Sequence, residues 1–249
     1  MKVSIITPAY NVEKWVLKTY QSIQSQTYTN WEWLITDDCS SDETLIILNK
    51  LAKEDHRVRV FSNTINSGAA VSRNNSIRNA TGDFLAFIDS DDLWLPNKLE
   101  KQLEFMEMDI DFSFTGYELI DANETRLLKS VDSSQVGSFS YQDMLRKKAT
   151  LGCSTVMLRI SSFEKITMPL IRTGQDYALW LNLLKTGKKA YVLNDIYTQY
   201  RILPDSISRN KIKKAKRQWQ IYREIEKLDF IDSSINFCFY AWRAVFRKS

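Results

Sequence analysis

Histidine and cysteine are scarce in this chain: His56 stands alone, and Cys39, Cys153 and Cys238 are far apart and odd in number. That spacing excludes a disulfide framework and a structural zinc site, leaving reduced thiols as the expectation. Only 7 glycines and 4 prolines occur in 249 residues, which excludes long low-complexity or disordered tracts. No apolar run reaches the roughly 18 residues that a membrane span needs. Met1-Lys2 leads directly into Val3–Ile6, too short for the apolar region of a signal peptide. A cytoplasmic chain is therefore expected. No G-x-G-x-x-G follows the first apolar segment and no P-loop lysine motif occurs, which disfavours a dinucleotide dehydrogenase and an NTPase.

What is present is a regular alternation in the first half. Val3–Thr7, Trp31–Thr36, Val58–Phe61 and Phe84–Ile88 read as strands buried on both faces, with Pro8 ending the first. Val16, Leu17, Tyr20 and Ile23 fall at helical spacing; Leu45–Leu51 and Ala69–Ala80 give two more helices. Alternating strands and helices imply an α/β fold with a mostly parallel central sheet. In such sheets ligands bind beyond the carboxyl ends of the strands. The polar clusters Pro8–Asn11, Asp37-Asp38, Asn66–Ala70 and Asp89–Asp92 all fall at those ends.

The second half is less regular. Helices are expected over Leu95–Met106, behind Pro96, over Gln175–Leu184, and over Ser208–Glu226. Strands are expected over Phe112–Ile120, Thr155–Arg159, Ala190–Val192 and Tyr197–Tyr200. One domain over 1–205 is expected, in halves 1–110 and 111–205, with a helical extension over 206–249.

Phe84–Asp92 is the most informative stretch, because a buried strand delivers Asp89, Asp91 and Asp92 onto one loop. Clustered carboxylates repel unless a cation or water screens them. Oxygen ligands with so little histidine suit Mg²⁺ or Mn²⁺ bridging to diphosphate. An acidic turn with Asp92 capping the next helix is the plainer alternative. The turn at Asn66–Asn74 opens a helix whose N-terminus, with Arg73, suits anionic charge.

Taken in order, Val3–Asn11, Asp37–Asp42, Asn66–Asn74 and Asp89-Ser90-Asp91-Asp92 resemble the family 2 glycosyltransferases of the GT-A fold, and Phe84–Gln102, Gln175–Trp180 and the Tyr200-Arg201 region resemble teichuronic acid glycosyltransferases of bacteria. The resemblance implies that Pro8, Tyr10 and Asn11 line a nucleotide pocket, that Asp38 meets the uracil, and that Arg73 lies near the donor. It places Asp89 and Ser90 at the ribose or donor sugar, and Asp91, with Asp89, at the metal. Gln175-Asp176 matches the family's pair holding the catalytic base, Asp176, which takes the acceptor hydroxyl's proton during an inverting displacement. Gln175 then belongs to the acceptor side. Trp180, four residues on, either floors the acceptor sugar or is an inward core residue. Gly152–Thr155 line the acceptor side, with Cys153 as packing. The implied enzyme is of hexosyltransferase type and acts in surface polysaccharide synthesis, with a nucleoside diphosphate sugar, UDP-linked by resemblance, as donor and a saccharide or lipid-linked saccharide as acceptor. A sugar nucleotidyltransferase and a non-catalytic sugar-nucleotide binder are the competing readings; the first lacks its glycine- and lysine-rich opening loop.

Arg209, Lys211, Lys213, Lys214, Lys216, Arg217 and Arg223 crowd one segment, interleaved with Ile212, Trp219, Ile221 and Tyr222. Such a helix rests on an anionic membrane surface, at about 1 kcal/mol per basic residue, or packs on the domain, or makes a homodimer contact. Residues 208–246 are thus the candidate contact with the inner face of the membrane. Nucleic acid is not an expected partner, since no recognition motif accompanies the charge.

Overall fold

The computed structural model describes residues 1–203 and 211–246. Its first half follows the expected alternation: β1 (Val3–Ala9), α1 (Val16–Gln24), β2 (Trp31–Asp37), α2 (Thr44–Glu54), β3 (Val58–Ser62), α3 (Ala69–Arg78) and β4 (Phe84–Phe87). The second half adds β5 (Leu93–Trp94), α4 (Lys98–Met106), β6 (Phe112–Ile120), β7 (Arg126–Val131), β8 (Ser138–Phe139) and α5 (Tyr141–Leu145). Then come β9 (Met157–Arg159), α6 (Gln175–Leu184), β10 (Ala190–Arg201), α7 (Lys211–Gln220), a π-helical turn over Ile221–Ile225, and α8 (Phe230–Phe246).

One sheet runs β3-β2-β1-β4-β9-β6-β10-β5, with β7 added on β6 and β8 on β10. β3, β2, β1 and β4 are parallel, and β6 and β10 run the same way, while β9 and β5 oppose them. The strands are apolar on both faces because each face carries helices. Val3, Ile5, Trp33, Ile35, Phe84 and Ala86 pack with α1, α2 and α4 on one side. Ile6, Leu34, Leu85 and Phe87 face α3, α5 and α6 on the other. Strand period two, buried on both faces, is the signature of a covered parallel sheet.

Several boundaries differ from the sequence-based expectation for local reasons. β1 continues through Pro8, whose ladder with β2 persists to Ala9 while its ladder with β4 ends at Ile6, so no donor is required of the proline on that side. Helix α4 starts at Lys98 because Leu93-Trp94 pair with Thr198 and Gln199 of β10. Residues 153–155 form a short 3₁₀ turn, not the start of a strand. Ala190–Arg201 is a single strand, with register shifts around Leu193–Thr198 absorbing Asn194 and Asp195.

The C-terminal extension shares the main core. Ile221 and Tyr222 are fully buried in the cluster around α6, and Tyr222 Oη donates to the Leu145 carbonyl at 2.5 Å. Tyr141 Oη donates to Glu226, which also pairs with Lys185. The expected boundary at 205/206, the helix start at Ser208 and the side chain of Arg209 lie outside the described residues.

Candidate active site

Parallel register brings the carboxyl ends of β1, β2 and β4 to one edge of the sheet, and with them the four polar clusters. At the end of β1, Tyr10 is 48% exposed. Asn11 takes positive φ, its amide donates to Ser40 Oγ, and its Oδ1 accepts from Ser41 N at 2.9 Å, stitching the first two loops together. Pro8 is half-buried within β1.

Asp38 is almost wholly buried and accepts three internal hydrogen bonds, from Asn63 Nδ2 at 2.7 Å, Ser67 N at 2.8 Å and Gly68 N at 2.6 Å. The anion at the N-terminus of α3 is therefore Asp38 itself, held where the helix dipole favours it. This corrects the expectation of an anion site left open for a ligand there. It leaves Asp38 about one of its roughly four acceptor positions for a base. Gly68, at φ 90°, supplies the left-handed residue that opens α3.

Arg73 leaves α3 toward the carboxylate loop. Its Nη2 donates to Asp89 Oδ1 at 2.5 Å, while Nε and Nη1 are buried without a partner among the described residues. Burial opposes its charge, but the carboxylates of Asp89 and Asp176 favour it and its pKa is raised. Asp176 thus lies within the field of the arginine that grips Asp89. The expected catalytic base and the expected donor loop therefore lie within electrostatic reach of the same arginine.

The loop itself is rigidly tied. Ser154 Oγ accepts from the Asp89 amide at 3.0 Å and donates to Asp92 Oδ2 at 2.5 Å. Asp92 Oδ1 accepts from the Arg201 amide at 2.9 Å. Thr19 Oγ1 donates to the carbonyls of Ser90 and Asp92. Asp92 is thus a buried tether between β4, the 153–155 turn and β10, not a helix cap; Asn97 is the N-cap of α4. Arg201, almost wholly buried, donates through Nε to the Asp91 carbonyl at 2.7 Å and through Nη1 to the carbonyls of Asp121 and Ala122. Its guanidinium also lies over Trp15 at 4.7 Å.

These constraints leave Asp91 half-buried, and burial together with the neighbouring Asp89 pushes its carboxyl up to about 6. Burial, then Asp91 and Asp89, raises Asp92 well above the carboxylate range. Burial followed by the same three acids also raises the Tyr200 hydroxyl, placing that ring beside the cluster. Three acids on one loop with one direct guanidinium partner form a site short of positive charge. No three acidic, histidine or cysteine side chains converge as a metal cage among the described residues. The donor set therefore fits a hard cation held by one or two carboxylates, with its other ligands from water and diphosphate oxygens.

Helix α6 is apolar over most of its surface and buried, with polar groups at its first turn, Gln175 and Asp176, and an exposed Asn182 further on. Gly174, at φ 75°, allows Arg217 and Ile221 to approach within 3.1 Å of where a Cβ would stand. Gln175 is buried, and its Oε1 has no partner among the described residues. Asp176 is half-buried and its carboxylate accepts no hydrogen bond among the described residues. Trp180 belongs to the core: it is fully buried, its rings meet Phe87 and Phe112 edge-on, and its Nε1 donates to the Leu151 carbonyl at 3.2 Å. That overturns its reading as an acceptor floor. Cys153, Ser154 and Thr155 are likewise buried and anchor the loop instead of lining the acceptor side. Burial pushes the Cys153 thiol well up, against the pull of Arg73, leaving it neutral and unreactive.

Arg201 is a loop-anchoring position to which sequence reasoning gave no role, and Ser154 is one that it placed on the acceptor side instead of in the loop's tether. Their signal was position, a polar residue in an otherwise buried turn and an arginine closing a long strand. A cleft of 580 Å³ beside Tyr20, Asp55 and Arg57 shares no residue with this cluster. Convergence of charged groups, and not cavity size, marks the site.

Sequence and structure comparisons identify the family and the fold. Residues 4–167 match the family described as Glycosyl transferase family 2. Over 247 residues the chain is 46% identical to a Bacillus subtilis (strain 168) protein named for teichuronic acid biosynthesis, the glycosyltransferase TuaG, covering 99% of this chain and 97% of that one. It is 37% identical over 240 residues to WfgD of Escherichia coli, named as a UDP-Glc:alpha-D-GlcNAc-diphosphoundecaprenol beta-1,3-glucosyltransferase, covering 96% and 90%. Staphylococcus aureus TarS, residues 1–349, with UDP-GlcNAc superposes with a TM-score of 0.77 at 21% identity, over 99% of this chain and 73% of that one. The chain belongs to glycosyl transferase family 2 and is an enzyme of the glycosyltransferase type with the GT-A fold.

Proposed function

We propose that the protein is a metal-dependent, inverting glycosyltransferase that moves a sugar from a UDP-linked donor to a lipid-linked saccharide during assembly of a bacterial surface polysaccharide. The observation that carries the chemistry is the unpartnered Asp176 carboxylate in the field of Arg73, which grips Asp89. The lipid-linked acceptor is supported by the diphosphoundecaprenol substrate named for WfgD, and with such an acceptor the enzyme would work peripherally, at the cytoplasmic face of the membrane.

Pro8, Tyr10 and Asn11 flank the nucleotide, with Asp38 shaping the loop beneath the base. Asp91, with Asp89, would hold Mn²⁺ or Mg²⁺; the Mn²⁺ bound with GDP-Man to a Pyrobaculum calidifontis mannosyltransferase, of TM-score 0.71 at 15% identity, belongs to a protein of the same fold. Such a cation, when bound, neutralises charge growing on a leaving diphosphate. Arg73 fixes Asp89 and adds positive charge on the donor side. Asp176 accepts the proton of the acceptor hydroxyl as its oxygen bonds to the anomeric carbon and the bond to the diphosphate breaks. One displacement from the opposite face inverts that carbon, so an α-linked donor yields a β-glycoside. Gln175, with a free buried Oε1, orients the acceptor.

Asp176→Asn is expected to lower kcat by on the order of 10²–10⁴-fold while donor affinity stays within about twofold. Near-normal turnover would remove Asp176 from the role of base. Proton NMR of the product decides inversion, and retention of the donor's anomeric configuration sinks the single-displacement scheme.

A further inference from the structure

Helix α8 is amphipathic with its faces reversed. Ile231, Ile235, Cys238, Phe239, Trp242 and Phe246 recur at intervals of three and four, which places them on one stripe. That stripe points outward: its five large side chains are 39–69% exposed, and Cys238 is exposed as well. The side turned to the body carries Ser233 and Asn236, both buried, and Arg243, whose Nε is buried. Phe237 is the aromatic anchor on that side, meeting Trp219 of α7 at 5.6 Å. A surface helix bathed only in water would present the opposite arrangement.

The charge around the stripe says what covers it. Residues 206–249 hold eleven basic and four acidic residues, a net +7, which leaves residues 1–205 at −3 of the chain's +4. α7 contributes Lys213, Lys214, Lys216 and Arg217, and Arg146, just after α5, lies over the Phe239 ring at 5.0 Å. Arg247 and Lys248 follow α8 in sequence. Two copies meeting through this face would set +7 against +7, so a second copy of the chain is the poorer occupant. An anionic bilayer satisfies both features at once: headgroups meet the cations and the acyl boundary takes the aromatics. No helix among the described residues is long and apolar enough to cross a membrane, so the stripe lies along the surface.

We infer that α8 is a membrane-docking helix, its stripe of Ile231, Ile235, Phe239, Trp242 and Phe246 seated in the interface of a bilayer rich in anionic phospholipid. The inference deepens the peripheral position proposed above and rests on it, not on the transfer chemistry. Docking by one face of α8 gives the catalytic domain a fixed orientation toward a lipid-linked acceptor.

The test is flotation of the full chain with vesicles of phosphatidylcholine alone or with a third phosphatidylglycerol. Binding is expected to rise by about tenfold or more with the anionic lipid and to fall again in high salt. The variant Ile235→Ser/Phe239→Ser/Trp242→Ser removes only exposed apolar groups and is expected to lose about tenfold or more of that binding. Its melting temperature and its donor hydrolysis in solution should match the parent. As a second readout, brominated phosphatidylglycerol should quench the fluorescence of the parent more than that of Trp242→Phe. Equal binding to both vesicle types, equal binding by the triple variant, or equal quenching of the two proteins overturns the inference. So does a parent dimer that the triple variant converts to monomer without vesicle binding. A parent that transfers sugar but binds neither vesicle type refutes only the docking helix; a parent that binds anionic vesicles but transfers no sugar refutes only the catalytic reading.

Discussion

Ser154 gives the sharpest test of how the site is built. Its hydroxyl is the sole side-chain link between the Asp89 amide and the Asp92 carboxyl, at 3.0 and 2.5 Å, and the residue is 1% exposed. Ser154→Ala removes both bonds and leaves a buried amide and a buried carboxyl each short of a partner. One neutral bond and one bond to a carboxyl group together suggest a loss of roughly 2–4 kcal/mol of stability. Asp92 keeps the Arg201 amide, which favours the lower end. Since Asp89 and Asp91 are presented by the same loop, donor turnover should fall with stability, by on the order of 10–100-fold. Urea unfolding gives the first number, and Mn²⁺-dependent hydrolysis of the nucleotide sugar, which needs no acceptor, gives the second. A residue that merely lined the acceptor side would raise the acceptor KM and leave both measurements alone. Unchanged stability and hydrolysis in Ser154→Ala would refute the tether.

Three further outcomes follow from buried groups. Trp180→Ala should cost about 3–5 kcal/mol in unfolding, as for a large core aromatic, whereas an acceptor floor would show mainly as a raised KM. Lys98 is fully buried, its Nζ donating only to Gln102 at 2.7 Å and lying 4.1 Å above the Trp94 ring, and burial pulls its pKa down to about 7. The unfolded chain therefore holds this proton more tightly, so parent stability should rise between about pH 7 and 10 relative to Lys98→Met. The methionine variant should be more stable by on the order of 2 kcal/mol at pH 7; a pH-independent difference between the two would contradict this. Glu32 is buried, which would raise its pKa, yet donors from Ser4, Thr81 and Lys2 outweigh burial and hold it down to about 2. Its contribution is complete above about pH 4.5 and disappears as pH falls toward 2, so Glu32→Gln should flatten the acid limb of the unfolding profile.

Much of this molecule is written in local sequence. The short, largely apolar runs at Val3, Trp31, Val58 and Phe84, with helical spacing between them, imply a covered parallel sheet, because strands apolar on both faces need burial on both. Loops at the carboxyl ends of parallel strands must share an edge, so the acids at Asp38 and Asp89–Asp92 were bound to meet. Direction within that edge was another matter. Nothing local distinguishes an aspartate that faces a ligand from one that holds a loop, and only packing made Asp38 and Asp92 tethers while leaving Asp91 and Asp176 without side-chain partners. Trp180 shares a helical stripe with Asp176, yet it turned inward because Phe87 and Phe112 close around it. Ser154 and Arg201 act through partners 62 to 110 residues away in the chain, a separation that no window of sequence spans. The C-terminal basic segment announced its charge openly, but the outward turn of the α8 stripe depends on which face Trp219 and the core had already taken.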